Sequence, residues 1–463
     1  MIIKKSLSPE CLQDRLNLFW NVSAEKIRSI ETSWQPGMGA PVFTVAGRYA
    51  ARGWTEWTQG FQFGSALLQY DATGDSRFLA MGREATLRRM APHLTHMGVH
   101  DHGFNNVSTY GNLWRMMGEG RIEEDHWQRH FYELALKISG AVQAARWTSL
   151  PDGLGFIYSF NGPHSLFADT IRSLRSLALS YQLGHILLGE MDQRIHLLHR
   201  LLIHAETTRR FSVYFGTGRD SMDLPGRVAH ESIFDIHNGA YRCPNSQQGY
   251  SPFTTWTRGL AWILLGFAEQ LEFLDSLQEE AFLEISPPDL FRKEILLPRF
   301  EGAARVTAEF YMAHSPADGI PFWDTGAPGL ANLGDYLHRP ADPFNDQEPI
   351  DSSAAAIAAQ GLLRLGRYLR MKDRPEQAER YWQAGLSIAS TLLGEPYLSS
   401  DPDHQGLLLH SVYHRPNGWD YLPPGSRIPR GESSMWGDYH LRELALYLHR
   451  IIHHQPYLRF FAG

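Results

Sequence analysis

Apolar residues recur at α-helical spacing from one end of this chain to the other, and no second pattern competes over any long stretch. That regularity predicts twelve helices, at roughly 10–33, 58–72, 76–95, 104–117, 124–146, 166–184, 189–210, 253–274, 290–313, 350–371, 375–394 and 434–452. Several are joined by tight polar turns. Thr73-Gly74-Asp75 closes one helix and Ser76 caps the next. Lys372-Asp373-Arg374 ends another, and Pro375 suits the first turn of its successor. A helical hairpin cannot bury both faces alone, so hairpins must stack. Six can close into a ring, an (α/α)6 barrel; an open α-solenoid is the rival, but no repeat of fixed length occurs. The expectation is an all-α chain folded as an (α/α)6 barrel, with residues 1–463 as one domain, because no shift in composition marks a linker.

Composition narrows the function. The chain has 463 residues, 43% of them hydrophobic, enough for a large core. Its net charge is −7, with acidic and basic residues mixed and no basic block, which argues against nucleic acid as a partner. Cys11 and Cys243 are the only cysteines, so neither a disulfide framework nor a cysteine zinc site is expected, and a reducing, cytoplasmic setting fits. The first ten residues have charge but no apolar centre of a signal peptide. No run of about 18 apolar residues occurs, so no membrane span is expected. The 13 tryptophans suit a sugar-binding cleft and a large helical core equally. Four long loops, 148–165, 213–252, 314–349 and 395–433, interrupt the helices. In a ring of alternating inner and outer helices such loops can gather at one mouth, where a substrate cleft is expected.

Three segments carry chemistry. Gln248-Gly-Tyr-Ser-Pro-Phe-Thr-Thr-Trp256-Thr-Arg258-Gly-Leu-Ala-Trp262 brings an amide, a guanidinium and two indoles to the start of an apolar helix. Aromatic faces beside a fixed cation suit a sugar ring bearing a carboxylate; a core tryptophan pair with a surface arginine is the alternative. Asp101 stands between His100 and His102 with Gly103 beside it, either as a helix cap or as a carboxylate that moves protons. Asp169 lies in the first turn of an apolar helix, either complementing the helix dipole or forming the second carboxylate of a pair. His196, His199 and His204 share a segment without a metal-binding spacing and read as packing or surface residues. No catalytic metal and no cofactor are expected. Asp351 and Asp438 read as caps, and Trp436 and Tyr439 as candidates for the cleft wall.

Read in order, Trp57-Thr-Gln-Gly-Phe61, His100-Asp-His-Gly-Phe104, Asp169, His230, Gln248-Gly-Tyr250, Trp256-Thr-Arg-Gly-Leu-Ala-Trp262, Asp351-Ser-Ser-Ala-Ala-Ala356 and Trp436-Gly-Asp-Tyr439 resemble the unsaturated glucuronyl hydrolases, glycoside hydrolase family 88. The related unsaturated rhamnogalacturonyl hydrolases share the layout. The resemblance implies an (α/α)6 barrel that removes a Δ4,5-unsaturated uronic acid from the non-reducing end of an anionic oligosaccharide. It does so by hydrating a vinyl ether rather than displacing the glycosidic bond directly. It implies Asp169 as the acid and base, Asp101 as the assisting carboxylate, and Trp57, His230, Gln248, Trp256, Arg258 and Trp262 as substrate contacts. Such chemistry calls for an acid of raised pKa.

The chain departs from that pattern in three places. His102 stands where the family usually has leucine, Arg172 and Arg175 follow Asp169 on one helix face, and extra loop occupies 330–349 and 400–430. The two arginines either read a further anionic group or face solvent. Other readings stay open: an exo-glycosidase on saturated uronosides, a sugar epimerase with His102 and His230 facing across the cleft, and a sugar-binding protein without activity. The sequence sets neither the polysaccharide nor the oligomeric state.

Overall fold

The computed structural model describes residues 1–35, 37–52, 56–283, 285 and 288–462. Twelve long helices build the frame: α1 Gln13–Ser33, α2 Gln59–Thr73, α3 Ser76–Arg89, α4 running from His102 to Gly118, α5 His126–Ala145, α6 from Thr170 to Gln182, α7 Leu197–Phe211, α8 Thr257–Ser276, α9 Lys293–His314, α10 Ser352–Met371, α11 Pro375–Leu392 and α12 Met435–Ile452. They match the twelve read from periodicity, with two late starts. The segment predicted to open α6 forms strand Ser165–Phe167, paired antiparallel with Glu231–Phe234, and α6 begins only at Thr170. The segment predicted to open α7 forms a small hairpin, Leu187–Leu188 with Arg194–Ile195. Both are short apolar runs, in which strand and helix periods cannot be told apart. Within α4 the turn Val107–Gly111 is a π-helix, a widening often found at functional sites.

Even-numbered helices form an inner ring and odd-numbered ones an outer layer. Each inner helix packs on the next, α2 on α4, α4 on α6, α6 on α8, α8 on α10 and α10 on α12, and α12 returns to α2. That closure makes the fold an (α/α)6 barrel and removes the solenoid alternative. Inner helices are buried on nearly every face; in α8 the residues from Thr257 to Leu271 are all buried. Small residues let them approach closely. A Cβ at Gly361 of α10 would lie 2.8 Å from the Leu264 side chain and 3.0 Å from the Leu265 backbone of α8. The main apolar core runs as one cluster from Leu12 to Phe461.

The inner helices all begin at the same mouth. The residues at their starts, Trp57, Asp101, Asp169, Trp256, Asp351 and Trp436, converge there through shared contacts. Six N-termini aimed at one space give it a positive bias before any side chain is counted.

Candidate active site

At that mouth lies a narrow pocket. Its wall includes Trp57, His100, Asp101, Asp169, Gln248, Trp256, Arg258 and Trp262, so seven of the eight residues read from sequence line one space. The eighth, His230, sits just behind the wall with its ring against Phe167 and Trp256 at 4.5 and 4.6 Å. Backbone pairing explains its position: the Ala168 N–H donates to the His230 carbonyl at 2.9 Å, at the end of the strand pair that precedes Asp169.

His100, which the sequence reading noted only as a flank, holds the centre. Its Nε2 lies 3.2 Å from Asp169 Oδ1 and 3.8 Å from Asp101 Oδ1. The two carboxylate oxygens therefore cannot be farther apart than those distances together, within the span of paired-carboxylate hydrolases. The three groups differ in proton affinity. Burial pushes Asp101 up and the Asp169 charge adds to this, against the opposing His100, so Asp101 stays above the usual carboxylate range. Burial also pushes Asp169 up, but the His100 hydrogen bond and the charges of His100 and Arg258 outweigh it and leave Asp169 lowered. For His100, burial lowers affinity, while Asp101 and Asp169 more than reverse it and raise the imidazole. The sequence reading assigned the raised acid to Asp169. In the free site the raised proton affinity lies on His100 and Asp101, because the imidazolium lies directly against Asp169.

Other expectations need revision. Arg258 does not present an unengaged cation. It is buried, it donates to Asp351 Oδ2 at 2.7 Å, to the Val412 and Tyr413 carbonyls at 2.5 and 2.9 Å and to Gln248 Oε1 at 3.1 Å, and it lies between the rings of Trp256 and Trp436. It locks the Gln248 side chain and the 412–413 backbone into the wall. His230 Nδ1 accepts the backbone N–H of Gln247 and Gln248 at 3.1 and 3.3 Å, which fixes its tautomer, and burial pushes it down to about 4, so it is neutral. His102 points away from the pocket, with its Nδ1 3.2 Å from Ser139 of α5 and its Nε2 3.0 Å from the His96 carbonyl. The histidine pair across the cleft that an epimerase would need is therefore not formed.

Arg172 and Arg175 neither reach the pocket nor face solvent. Arg172 is fully buried, bound to Glu269 at 3.1 Å and Glu443 at 2.6 Å, and Arg175 lies 3.6 Å from Glu443. Trp436 stacks behind Trp57 with centroids 5.0 Å apart, and Tyr439 is buried against Phe61, so neither lines the cleft. Asp351 caps α10 as expected. Asp438 does not cap: Ser434 does, and Asp438 accepts from the Tyr49 hydroxyl at 2.8 Å and from Leu407 and Leu408 N–H. Sequence reasoning missed Phe160, Tyr413, His414 and Trp419, which complete the rim. The last three belong to a turn organised by Asp420, whose carboxylate accepts the Tyr413 and His414 N–H groups. The only sequence signal for them was the length of the 395–433 loop.

The arrangement offers an aromatic box, a buried proton store between two carboxylates, and a positive bias from helix starts. Together these suit proton transfer to a ring that carries an anionic group.

No family model matches the chain. It is 26% identical over 405 residues to an unsaturated glucuronyl hydrolase of Bacillus sp. strain GL1, spanning 87% of this chain and 89% of that protein. It is 23% identical over 413 residues to an unsaturated chondroitin disaccharide hydrolase of Streptococcus pyogenes, spanning 87% of this chain and 84% of that one. Among solved structures, an unsaturated glucuronyl hydrolase specific for heparin superposes with a TM-score of 0.70 at 20% identity, covering 95% of this chain and 98% of the other.

Proposed function

We propose that this chain, a member of the unsaturated glucuronyl hydrolase family, is a glycoside hydrolase that removes a Δ4,5-unsaturated uronic acid from the non-reducing end of an anionic oligosaccharide. The observation that carries the reading is the single imidazole nitrogen of His100 set between Asp101 and Asp169 on the floor of an aromatic pocket.

Asp169 delivers a proton to C4 of the vinyl ether, and positive charge develops at C5 and the ring oxygen. In the free site the proton rests on His100, which passes it to Asp169 across their hydrogen bond. The uronate carboxylate, arriving beside Asp169, favours that transfer because a second negative charge raises Asp169. The ionised Asp169 then takes a proton from water as its oxygen bonds to C5. The resulting hemiketal opens and the sugar is lost. Asp101, held above its usual range, supports the exchange as the assisting carboxylate. Trp57, Trp256 and Trp262 box the ring, and Gln248 contacts its polar edge from the position that Arg258 and His230 hold. His414 and Trp419 stand at the rim where the leaving sugar passes. Cys11 and Cys243 are exposed free thiols, in keeping with work in the cytoplasm as a single domain without a cofactor.

The test offers lyase digests of several anionic polysaccharides and follows the ultraviolet band of the unsaturated uronate. Loss of that band with release of the adjoining sugar is the expected result. Hydrolysis of saturated uronosides while every unsaturated digest stays intact would replace this reading with a conventional exo-glycosidase.

A further inference from the structure

The opposite mouth of the barrel holds a second and larger cavity, about 670 Å³. Inner helices end there, and Arg258 at the start of α8 and Asp275 near its end lie about 25 Å apart at the rise of an α-helix. The two spaces cannot be parts of one cleft. The C-terminal segment crosses this mouth. The Leu458 carbonyl accepts from Arg364 Nη2 at 3.0 Å, and the Tyr457 hydroxyl meets Glu272.

The charges around this cavity do not cancel. Each carboxylate on its wall is already matched: Glu119 by Arg115 and Arg450, Glu272 by Arg364, and Asp275 by Lys372. Arg129 is matched by Glu124. Arg367 and Arg459 remain, the Arg367 charge also reaching Glu272. Both are half-buried on the wall, and among the described residues neither forms an ion pair with a carboxylate. At the end of α8 the carbonyls of Asp275 and Leu277 are taken by Lys293 Nζ, at 3.0 and 2.5 Å, and not by either arginine. Two guanidiniums without a carboxylate partner, in a chain of net charge −7, are a local feature suited to an anion, set against the weaker negative bias of the helix ends around them. Each guanidinium also lies over a ring, Arg367 3.6 Å from the Tyr457 centroid and Arg459 5.1 Å from that of Phe461. Arg367 Nη1 meets Met371 Sδ at 3.3 Å, and stacking on one face leaves the other edge N–H groups to donate sideways, the geometry that receives a carboxylate. Trp114 and Tyr368 add aromatic surface to the same wall.

We propose that this far mouth is a second binding site, for a sugar acid whose carboxylate meets Arg367 and Arg459 while its ring lies on the aromatic wall. The site is separate from the pocket at the helix starts and does not depend on the reaction proposed there.

Calorimetric titration of D-glucuronate, D-glucose and inorganic phosphate tests it on three proteins: the wild type, Arg367→Met with Arg459→Met, and Trp57→Ala, which damages only the first pocket. Glucuronate should bind the wild type and Trp57→Ala alike, weaken on raising salt, and bind the paired methionine variant about tenfold less or worse. Glucose and phosphate should bind far more weakly than glucuronate. A pair of lysines at the same positions keeps the charge and guards against loss through misfolding, and should retain part of the affinity. Glucuronate binding equal in the wild type and the methionine pair would overturn the proposal, as would phosphate binding as tightly as glucuronate. Binding lost in Trp57→Ala but kept in the methionine pair would place the sugar in the first pocket alone. Hydrolysis by the methionine pair should stay within about twofold of the wild type, because neither arginine touches the helix starts.

Discussion

At the scale of single residues the site turns on which group holds one proton. An isolated aspartate gives its proton up near pH 4 and cannot act as an acid at neutral pH. His100 solves this by holding the proton at imidazole affinity, raised further by its two carboxylates, one hydrogen bond away from Asp169. Asp169→Asn should therefore lose roughly 10²–10⁴-fold in kcat with the fold intact, because the amide keeps the volume and cannot carry the proton. Near wild-type turnover by that variant would remove Asp169 from the mechanism. The pH profile tests His100 separately. The store is full below its pKa and empties as pH rises through it, so kcat/KM should fall on an alkaline limb above about pH 6.5. In His100→Asn no imidazole holds the proton, and that limb should move down toward the carboxylate range. An alkaline limb unchanged in the variant would show that His100 only positions Asp169. Little of this was legible in the chain. The motif around Asp101 pointed to proton chemistry, yet which flanking histidine turns inward depends on the helix start at residue 102, which sends His100 to the pocket and His102 to α5. For Arg258 the residue type was right and its state was not, because Asp351 lies 93 positions away.

Elements set the distances that the chemistry needs. Asp101 ends a loop at the start of α4 and Asp169 ends another at the start of α6, so their separation is the packing distance between two helix starts. Gly103 sets that distance. A Cβ there would lie 2.0 Å from the Ser173 carbonyl oxygen, far inside contact, and the obstacle is backbone that cannot swing aside. The Gly103 N–H donates to Ser173 Oγ at 2.9 Å and ties the same two turns together. Gly103→Ala should cost about 1–3 kcal/mol of stability through overpacking and push α4 away from α6. The His100–Asp169 hydrogen bond then lengthens, so kcat should fall more than KM rises. Denaturant unfolding and steady-state kinetics read the two effects, and a variant with unchanged kcat would show that the approach of α4 to α6 does not set the geometry of the pair. Periodicity made the helices visible because each has one sustained apolar pattern over ten or more residues. It misplaced the starts of α6 and α7, where short segments of two or three residues pair as strands instead. That error mattered: the strand at Ser165–Phe167 is what carries His230 to the back of the pocket, and no helix there could have done so.

Across the whole molecule, the barrel axis is charged rather than oily. Below the pocket floor Trp262 lies over Arg172, and from there ion pairs run through Glu269, Glu443 and Arg175 to Arg364 and Glu272 at the far mouth. Sequence could place Arg172 and Arg175 on one helix face but not say what that face meets, since their partners are supplied by α8 and α12, 97 and 271 positions away for Arg172. A substrate role and a structural role make opposite forecasts. If Arg172 read an anionic group on the sugar, Arg172→Met would raise KM for a charged substrate and leave stability nearly unchanged. The observed contacts require the reverse. Removing the cation leaves Glu269 and Glu443 buried with only the more distant Arg175 and Arg364 as charged partners, at 3.6–3.9 Å, and breaking a buried pair from one side typically costs about 3–5 kcal/mol. The pH dependence has a definite sign. Burial pushes Glu443 up, but Arg172 and Arg175 overcome this and hold it below the usual glutamate range. A depressed carboxylate stabilises the fold above its unfolded pKa and loses that contribution as pH falls toward its folded value. The stability gap between wild type and Arg172→Met should therefore be full at neutral pH and shrink progressively below about pH 4, where the unfolded glutamate begins to take up protons. Chemical unfolding from pH 7 downward measures it. A gap that stays constant with pH, or a variant that keeps wild-type stability and loses affinity only for charged substrates, would return Arg172 to the binding site.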